Sequence, residues 1–411
     1  MNAPRSGTWV APDAIRARFS AAMSEMYRAE VPQYGALLDL VAETNRRTLA
    51  ADPKLADRYR RSGELTRLEG ERHGAIRLGT AGELRMIGRA FAVMGMKAVG
   101  YYDLAAAGVP VHSTAFRPVT DAALAANPFR VFTSLLRLEL IDDPALRAEA
   151  ETILAARSIV TPDAIALIEQ AEREGGLNAA RAADFVAELI ETFRWHSTST
   201  VDAGTYAHLL DAHRLIADVV SFRGPHINHL TPRTLDIDAA QAGMAAMGMA
   251  AKASIEGPPR RRCPILLRQT SFKALDEAIL FPAADGTAVR GYHTARFGEI
   301  EARGVALTRK GRALYDAALA GEGDFADLPD DWDGLRGQGL AYFRQTDSGF
   351  EPITYEDFLP VSAAGIFRSN LGEQEVRSGY GAQANKALFE AALGRSLIDE
   401  FDLYDAASAS N

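Results

Sequence analysis

The stretch Glu71-Arg72-His73-Gly74-Ala75-Ile76-Arg77-Leu78-Gly79-Thr80-Ala81-Gly82-Glu83 carries two structural signals in succession. Gly74, Ile76 and Leu78 alternate with the other residues, which predicts a strand. Thr80 followed three positions later by Glu83 predicts a capping box, and with it the start of a helix. His73 and Arg77 then share the second face of the strand. An imidazole can bind a metal, and a guanidinium can hold a carboxylate with two parallel hydrogen bonds. The plain alternative is a surface pair with no joint role.

Outward from this strand the pattern is segregated. Pro12 opens a helix with Ile15, Phe19, Met23 and Met26 on one stripe, and a second helix is expected over 34–49. After residue 80 a helix ends at Gly95, and strands are expected over 97–103, 110–116 and 131–140. The run from 143 to 220 reads as helix throughout, over 146–156, 162–174, 179–195 and 206–220. Strands return at 226–230, a helix follows over 236–247, and strands are expected over 265–270 and 291–301. The fold class is therefore α+β. The divisions are N-terminal helices (1–72), a first βαβββ-like unit (73–141), a helical insertion (142–222), a second strand-rich unit (223–305) and a C-terminal part (306–411). All five are expected to form one compact catalytic domain. No sequence identity links the two strand-rich units, so their kinship rests on element order alone.

Two further stretches carry chemistry. In Gly224-Pro225-His226-Ile227-Asn228-His229-Leu230, an extended chain turns His226 and Asn228 one way, and Ile227 and His229 the other. Sharing a face with isoleucine makes His229 the better ligand candidate, while a core histidine bonded to a carbonyl is the plain reading. In Ala295-Arg296-Phe297-Gly298-Glu299-Ile300-Glu301, Glu299 and Glu301 share a strand face, and Gly298 would leave room beside Glu299 for a metal. A solvated edge strand is the alternative. Two histidines and one carboxylate from separate strands would form the facial triad of non-haem Fe(II) oxygenases. His112 and His293 are the substitutes for a ligand. His226 and Gln269 are candidate substrate contacts. His208 and His213, five apart on one expected helix, and His196 near a helix end are given packing or surface roles.

Composition narrows the class. The chain has 411 residues, 47% of them hydrophobic, with a net charge of −9 and one cysteine. The acidic balance argues against nucleic-acid and anionic-membrane partners. No apolar run suits a membrane span and Met1–Val10 has no signal core, so a cytoplasmic location is expected. Cys263 excludes an internal disulfide and reads as a buried thiol at the start of a strand. The acidic stretch 324–333 reads as a connector, and the Ala/Ser-rich tail beyond Asp405 as frayed. The segment Ala306–Tyr315 has the look of a winged-helix regulator, but Thr308 as a helix cap explains it, and no basic recognition helix is present.

The runs ERHGAIR, FAVMGM, GYYDL, AGVPVHSTAFR, PFRVFTSLLRLELID, FRWH, GPHINHLTPRTLDID, PILLRQTSFKAL, HTARFGEIEARG, LTRKGRALYD and YEDFLPVSAAGIF follow one another in this order up to Phe367. Together they resemble the 2-oxoadipate dioxygenase/decarboxylase family, also called hydroxyglutarate synthases. The resemblance implies a vicinal-oxygen-chelate-like architecture, with paired βαβββ units around a metal. It implies Fe(II) held by His73, His229 and Glu299, and substrate contacts at Arg77, Val361 and Ser362. It further implies that 2-oxoadipate and O2 are converted to D-2-hydroxyglutarate and CO2 in lysine breakdown. A metal-dependent isomerase or lyase on the same architecture is the rival activity. One departure lies between Phe343 and Tyr355, where this chain is shorter than the family pattern.

Overall fold

The computed structural model describes residues 9–347, 349–359 and 382–409. Val361 and Ser362 lie outside the described residues. The chain forms a mixed α+β structure around one five-stranded sheet made of β1 (Arg72–Leu78), β2 (Lys97–Asp103), β3 (Val111–Arg117), β4 (Arg130–Leu136) and β5 (Leu230–Pro232), in the order β2-β3-β4-β1-β5. The capping box forms as the sequence requires: the Thr80 hydroxyl accepts from the Glu83 amide at 3.1 Å, and the Glu83 carboxylate accepts from the Thr80 amide at 3.3 Å. The helix Ala81–Val93 that it opens carries the chain away, and β2, β3 and β4 then run back antiparallel. As a result β4 lies parallel beside β1.

On its other side β1 pairs antiparallel with β5, placing His73 opposite Thr231 and Gly74 opposite Leu230. Gly74 is required here, because a side-chain β-carbon would stand 2.5 Å from Ile227 Cδ1 and 3.3 Å from the His229 carbonyl. After β5 come the helix Ile237–Ala246, β6 (Leu267–Ser271), a hairpin of β7 (Asp276–Pro282) and β8 (Ala288–Thr294), and β9 (Glu299–Arg303). β6 and β9 pair antiparallel, and Arg233 bridges parallel to Glu301 just beyond β5. A second strand–helix–strand series thus also returns its last strand beside its first.

The sheet separates two cores. Ile76, Leu78, Val131 and Phe116 pack with Phe19, Met23 and Phe91 on one side, so the predicted stripe of the first helix is buried. Ala75, Phe132, Leu136 and Val111 face the other core. His73 and Arg77 share the Ala75 side, as alternation demands.

Several local expectations are corrected. The predicted helix 206–220 is two helices, Ala203–Ala212 and Arg214–Val220. His213 breaks it by taking an extended backbone and accepting the Leu215 amide on Nδ1 at 2.9 Å. The expected strand 291–301 is interrupted after Thr294, because the backbone there turns to bond elsewhere: the Arg296 carbonyl accepts from Leu275, and the Gly298 carbonyl from Phe272. Residues 226–229 carry no strand pairing, and only Leu230 onward joins the ladder. Cys263 is buried as expected, yet it lies in a bend, with burial pushing its thiol up to about 11. The C-terminal helix Glu400–Ala409 continues through the segment expected to fray. Among the described residues no helix is long and apolar enough to cross a membrane.

The His213 cap makes stability depend on pH. Burial, helped by the Arg77 charge, lowers His213 to about 4 from 6.5, and the neutral ring accepts the Leu215 amide on Nδ1. The unfolded chain therefore takes up the proton first, and this contribution is complete above 6.5 and lost as the pH falls toward 4. Replacing His213 with Asn keeps a capping acceptor but removes the titration. The His213→Asn protein should lose less of its melting temperature than the parent between pH 6.5 and 4; equal slopes would refute this.

Candidate metal centre

His73 from β1, His229 just before β5 and Glu299 at the start of β9 each bring one donor atom to a common point, all within 4.8 Å of one another. His73 Nε2 stands 3.0 Å from Glu299 Oε1, and His229 Nδ1 stands 3.7 Å from the same oxygen. All three side chains are buried. Phe358 meets the His73 ring edge-to-face at 5.0 Å, and Phe297 stacks on His229 at 4.9 Å. The segment carrying His229 is fixed from several directions. Ile227 N donates to the Phe193 carbonyl, Asn228 N to the Ala75 carbonyl, and the Tyr27 hydroxyl donates to the carbonyls of both Asn228 and Phe297.

The donors fit a divalent metal. Glu299 Oε1 accepts from Gln269 Nε2 at 3.0 Å and from the Thr231 hydroxyl at 2.9 Å, whereas Glu299 Oε2 is buried without a hydrogen-bond partner among the described residues. A buried carboxylate oxygen left unpaired is costly unless a cation completes it. Neighbouring ligands on bonds of roughly 2.1 Å stand about 3 Å apart at right angles, which matches the spacing of His73 and Glu299. Burial lowers His229 to about 4, so it is a neutral, ligand-ready imidazole at physiological pH. Burial opposes ionisation of Glu299, but the two histidines and Thr231 outweigh it and hold the carboxyl below its ordinary value.

Glu301 is the residue that sequence reasoning undervalued. Its Oε2 lies 2.9 Å from His73 Nδ1, so the two carboxylates of β9 face the two nitrogens of one ring. Both are close ionic contacts rather than aligned hydrogen bonds. Burial lowers the His73 pKa, but Glu301 and then Glu299 outweigh it and leave it raised. Glu301 itself is gripped by Arg303 through two bonds of 2.9 and 2.8 Å. Behind it lies a buried lattice: Glu71 accepts from Arg67, Arg130 and Arg233, and Glu356 pairs with Arg67 and Arg130. A cavity of about 120 Å³ opens against Glu356 and Arg67, but none of the three ligands lines it. The sequence signal for the lattice was the lone Arg130 in the apolar strand Arg130–Leu136, every residue of which is buried.

A second buried cluster adjoins the first. Arg77 Nη1 pairs with Asp218 Oδ2, while Asp218 Oδ1 meets His226 Nε2 at 3.1 Å and His293 Nε2 at 2.9 Å. The candidate substrate contacts therefore separate: Gln269 touches the candidate ligand Glu299, and His226 touches Asp218. Asp218 was missed by sequence reasoning, although a charged residue in the otherwise apolar Leu215–Val220 run was its signal. His293 joins this cluster and not the ligand set. His112 is remote from it, against Tyr101 and Phe389. Gly298 does not make room for a metal: a β-carbon there would stand 2.0 Å from Phe272 Cε1, so its missing side chain accommodates an aromatic ring.

A family model described as 2-oxoadipate dioxygenase/decarboxylase matches residues 19–370. The chain belongs to this family. The 2-oxoadipate dioxygenase/decarboxylase of Pseudomonas putida is 56% identical, over 96% of this chain and 95% of its own. That of Escherichia coli is 54% identical, over 97% of each. The solved hydroxyglutarate synthase of Pseudomonas putida in complex with 2-oxoadipate superposes with a TM-score of 0.89 at 53% identity, covering 98% of this chain and 97% of that one. Membership removes the winged-helix reading; in the structure, Thr308 simply caps the helix Arg309–Ala320.

The position of Glu301 yields a test. Carboxylates behind metal-bound imidazoles fix ring orientation, and their loss weakens metal binding by about 10–100-fold. Glu301→Gln should show a loss of that size in competition with a chromogenic chelator. Unchanged metal affinity would remove Glu301 as the residue that orients His73.

Proposed function

We propose that this protein is an Fe(II)-dependent enzyme that converts 2-oxoadipate and O2 to 2-hydroxyglutarate and CO2. The observation that carries the reading is the convergence of His73, His229 and Glu299, with one Glu299 oxygen unpartnered among the described residues, in a chain of this family. Two imidazoles and one carboxylate are the donor set of non-haem ferrous oxygenases, and iron held there supplies open positions for a 2-oxo acid and for O2. The reaction balances: one oxygen atom enters the new carboxylate and the other the new hydroxyl. The paired strand–helix–strand series, joined at β1 and β5, supports a vicinal-oxygen-chelate-like arrangement.

The side chains divide the work. Gln269 and Thr231 hold Glu299 Oε1 and so fix the carboxylate beside the two imidazoles. Glu301 fixes the His73 ring. Phe297 and Phe358 line the imidazoles with apolar surface and exclude water, which strengthens every charge interaction inside. Arg77 lies on the same strand face as His73, and its charge is felt at His229. We assign it the far carboxylate of the substrate, which must be neutralised once water is excluded. Val361 and Ser362 are kept as proposed substrate contacts on the family resemblance alone.

Anaerobic reconstitution with iron, followed by oxygen and 2-oxoadipate, tests the reading. Oxygen uptake should match CO2 release, with 2-hydroxyglutarate as product, and Ala at His73, His229 or Glu299 should abolish both. Turnover without oxygen uptake would favour the isomerase or lyase alternative. Arg77→Lys keeps the charge but loses the planar fork, so kcat/KM for 2-oxoadipate should fall sharply. Arg77→Ala should lose more, on the order of 3–5 kcal/mol if the substrate carboxylate is left buried and unpaired. A 2-oxo monoacid of the same length should be affected far less; an equal loss on both would refute the assignment of Arg77.

A further inference from the structure

We propose that Asp218 is the positioning residue of the far-carboxylate subsite: it sets the plane of the Arg77 guanidinium, and His226 and His293 in turn hold Asp218. The inference rests on the assignment of Arg77 to the substrate's second carboxylate. Asp218 sits on the helix Arg214–Val220, where every residue from Leu215 to Val220 is buried. A carboxylate among these apolar residues has no packing role, and its two oxygens are divided between two tasks. Oδ2 takes Arg77 Nη1 at 2.5 Å; Oδ1 takes the Nε2 atoms of His226 and His293 at 3.1 and 2.9 Å.

The histidines are themselves held. The Tyr206 hydroxyl lies 2.9 Å from His293 Nδ1, so with Tyr206 donating there, His293 carries its proton on Nε2, toward Asp218. Trp195 meets the edge of His226 at 4.7 Å and stacks at 6.0 Å over His293, with Phe222 4.6 Å from His293. With its amide oxygen turned inward, Asn228 accepts from Arg77 Nη1 at 3.0 Å and from His226 Nε2 at 3.2 Å. Asp218, His226, His293, Asn228 and Arg77 are all at least nine-tenths buried. Burial favours the neutral acid, but Arg77 and His226 outweigh it, and Asp218 stays well below the ordinary carboxyl range.

Three segments feed both clusters. The strand β1 supplies His73 and Arg77, the segment before β5 supplies His229 and His226, and the β8–β9 region supplies Glu299 and His293. A guanidinium on a flexible stem recognises a carboxylate best when its plane is already set, because the ordering cost has been met before the ligand arrives. A second metal at Asp218, His226 and His293 is the competing reading. The cation of Arg77 and the two N–H groups already engage both carboxylate oxygens.

The charge and positioning accounts predict opposite signs. Removing the Asp218 charge leaves Arg77 more positive, which by charge alone tightens a dianion. If Asp218 positions Arg77, Asp218→Asn should instead raise KM for 2-oxoadipate by at least about tenfold, as misplaced binding groups do, with kcat little changed. KM for 2-oxohexanoate, the monoacid of equal length, should stay the same. His293→Leu should act in the same direction and His293→Gln should restore binding, which keeps the test open should Asp218→Asn fold poorly. In an Arg77→Ala background Asp218→Asn should add nothing.

A lower KM for 2-oxoadipate, or equal losses on both substrates with loss of bound iron, would overturn the proposal. So would a second equivalent of tightly bound metal in the parent that Asp218→Asn lacks. If Arg77→Ala keeps full preference for the diacid, the substrate assignment of Arg77 fails and this inference with it. If Arg77→Ala loses that preference while Asp218→Asn keeps it, only the positioning role fails.

Discussion

The contact between Glu301 and His73 depends on a carboxylate staying ionised in the protein interior. Glu301 is fully buried, and burial by itself pushes its carboxyl toward the neutral form. Arg303 prevents this with two charge-assisted bonds, and Arg130 adds a further positive charge 3.9 Å away. Arg130 is balanced by Glu71 and Glu356, and Glu71 by Arg67 and Arg233. Each member is tolerable only because its partners are present; losing one buried partner typically costs about 3–5 kcal/mol. The lattice therefore locks β1, β4, β9 and the segment around Glu356 into one register, and the imidazole of His73 takes its place from that lock.

The same economy shows in how the two buried clusters are built. Three backbone segments each deliver one side chain to the ligand point and one to the Arg77–Asp218 pair. Their relative placement is held by backbone hydrogen bonds and by the Tyr27 hydroxyl, which bonds the carbonyls of Asn228 and Phe297 together. The two clusters are therefore coupled, because neither can shift without the segments that also carry the other. The helix carrying Tyr27 is thus more than a cover for the core.

Much of this was legible from the chain. The Thr80–Glu83 capping box, the Ile15–Phe19–Met23–Met26 stripe and the βαβββ order all follow from local rules, and the structure forms them. His73, His229 and Glu299 were named from alternation and family resemblance, and they meet. The misses have physical reasons. His213 splits a periodic helix because its ring nitrogen finds an amide to cap. The strand through 291–301 breaks because its carbonyls bond residues 272 and 275. Gly298 faces Phe272 and not a ligand. For the strand and for Gly298 a partner outside the local sequence window decided the outcome, whereas His213 caps an amide only two residues on.

The sequence by itself determined most of the helix and strand assignments and which side chains share a face, since periodicity and capping are properties of neighbouring residues. It also supplied the chemical types: imidazoles, a carboxylate pair two apart, and a guanidinium on the strand of the first histidine. Tertiary structure alone decided what each carboxylate does. Glu299 and Glu301 occupy equivalent positions on one strand face, yet among the described residues one keeps a buried oxygen without a partner and the other is gripped by Arg303. Asp218 gained its place the same way, opposite Arg77 across 141 residues of chain. The role of a buried charge is set by what stands within about 3 Å of it, because Coulomb energy in a poorly polarisable interior falls off with distance in space and takes no account of distance along the chain.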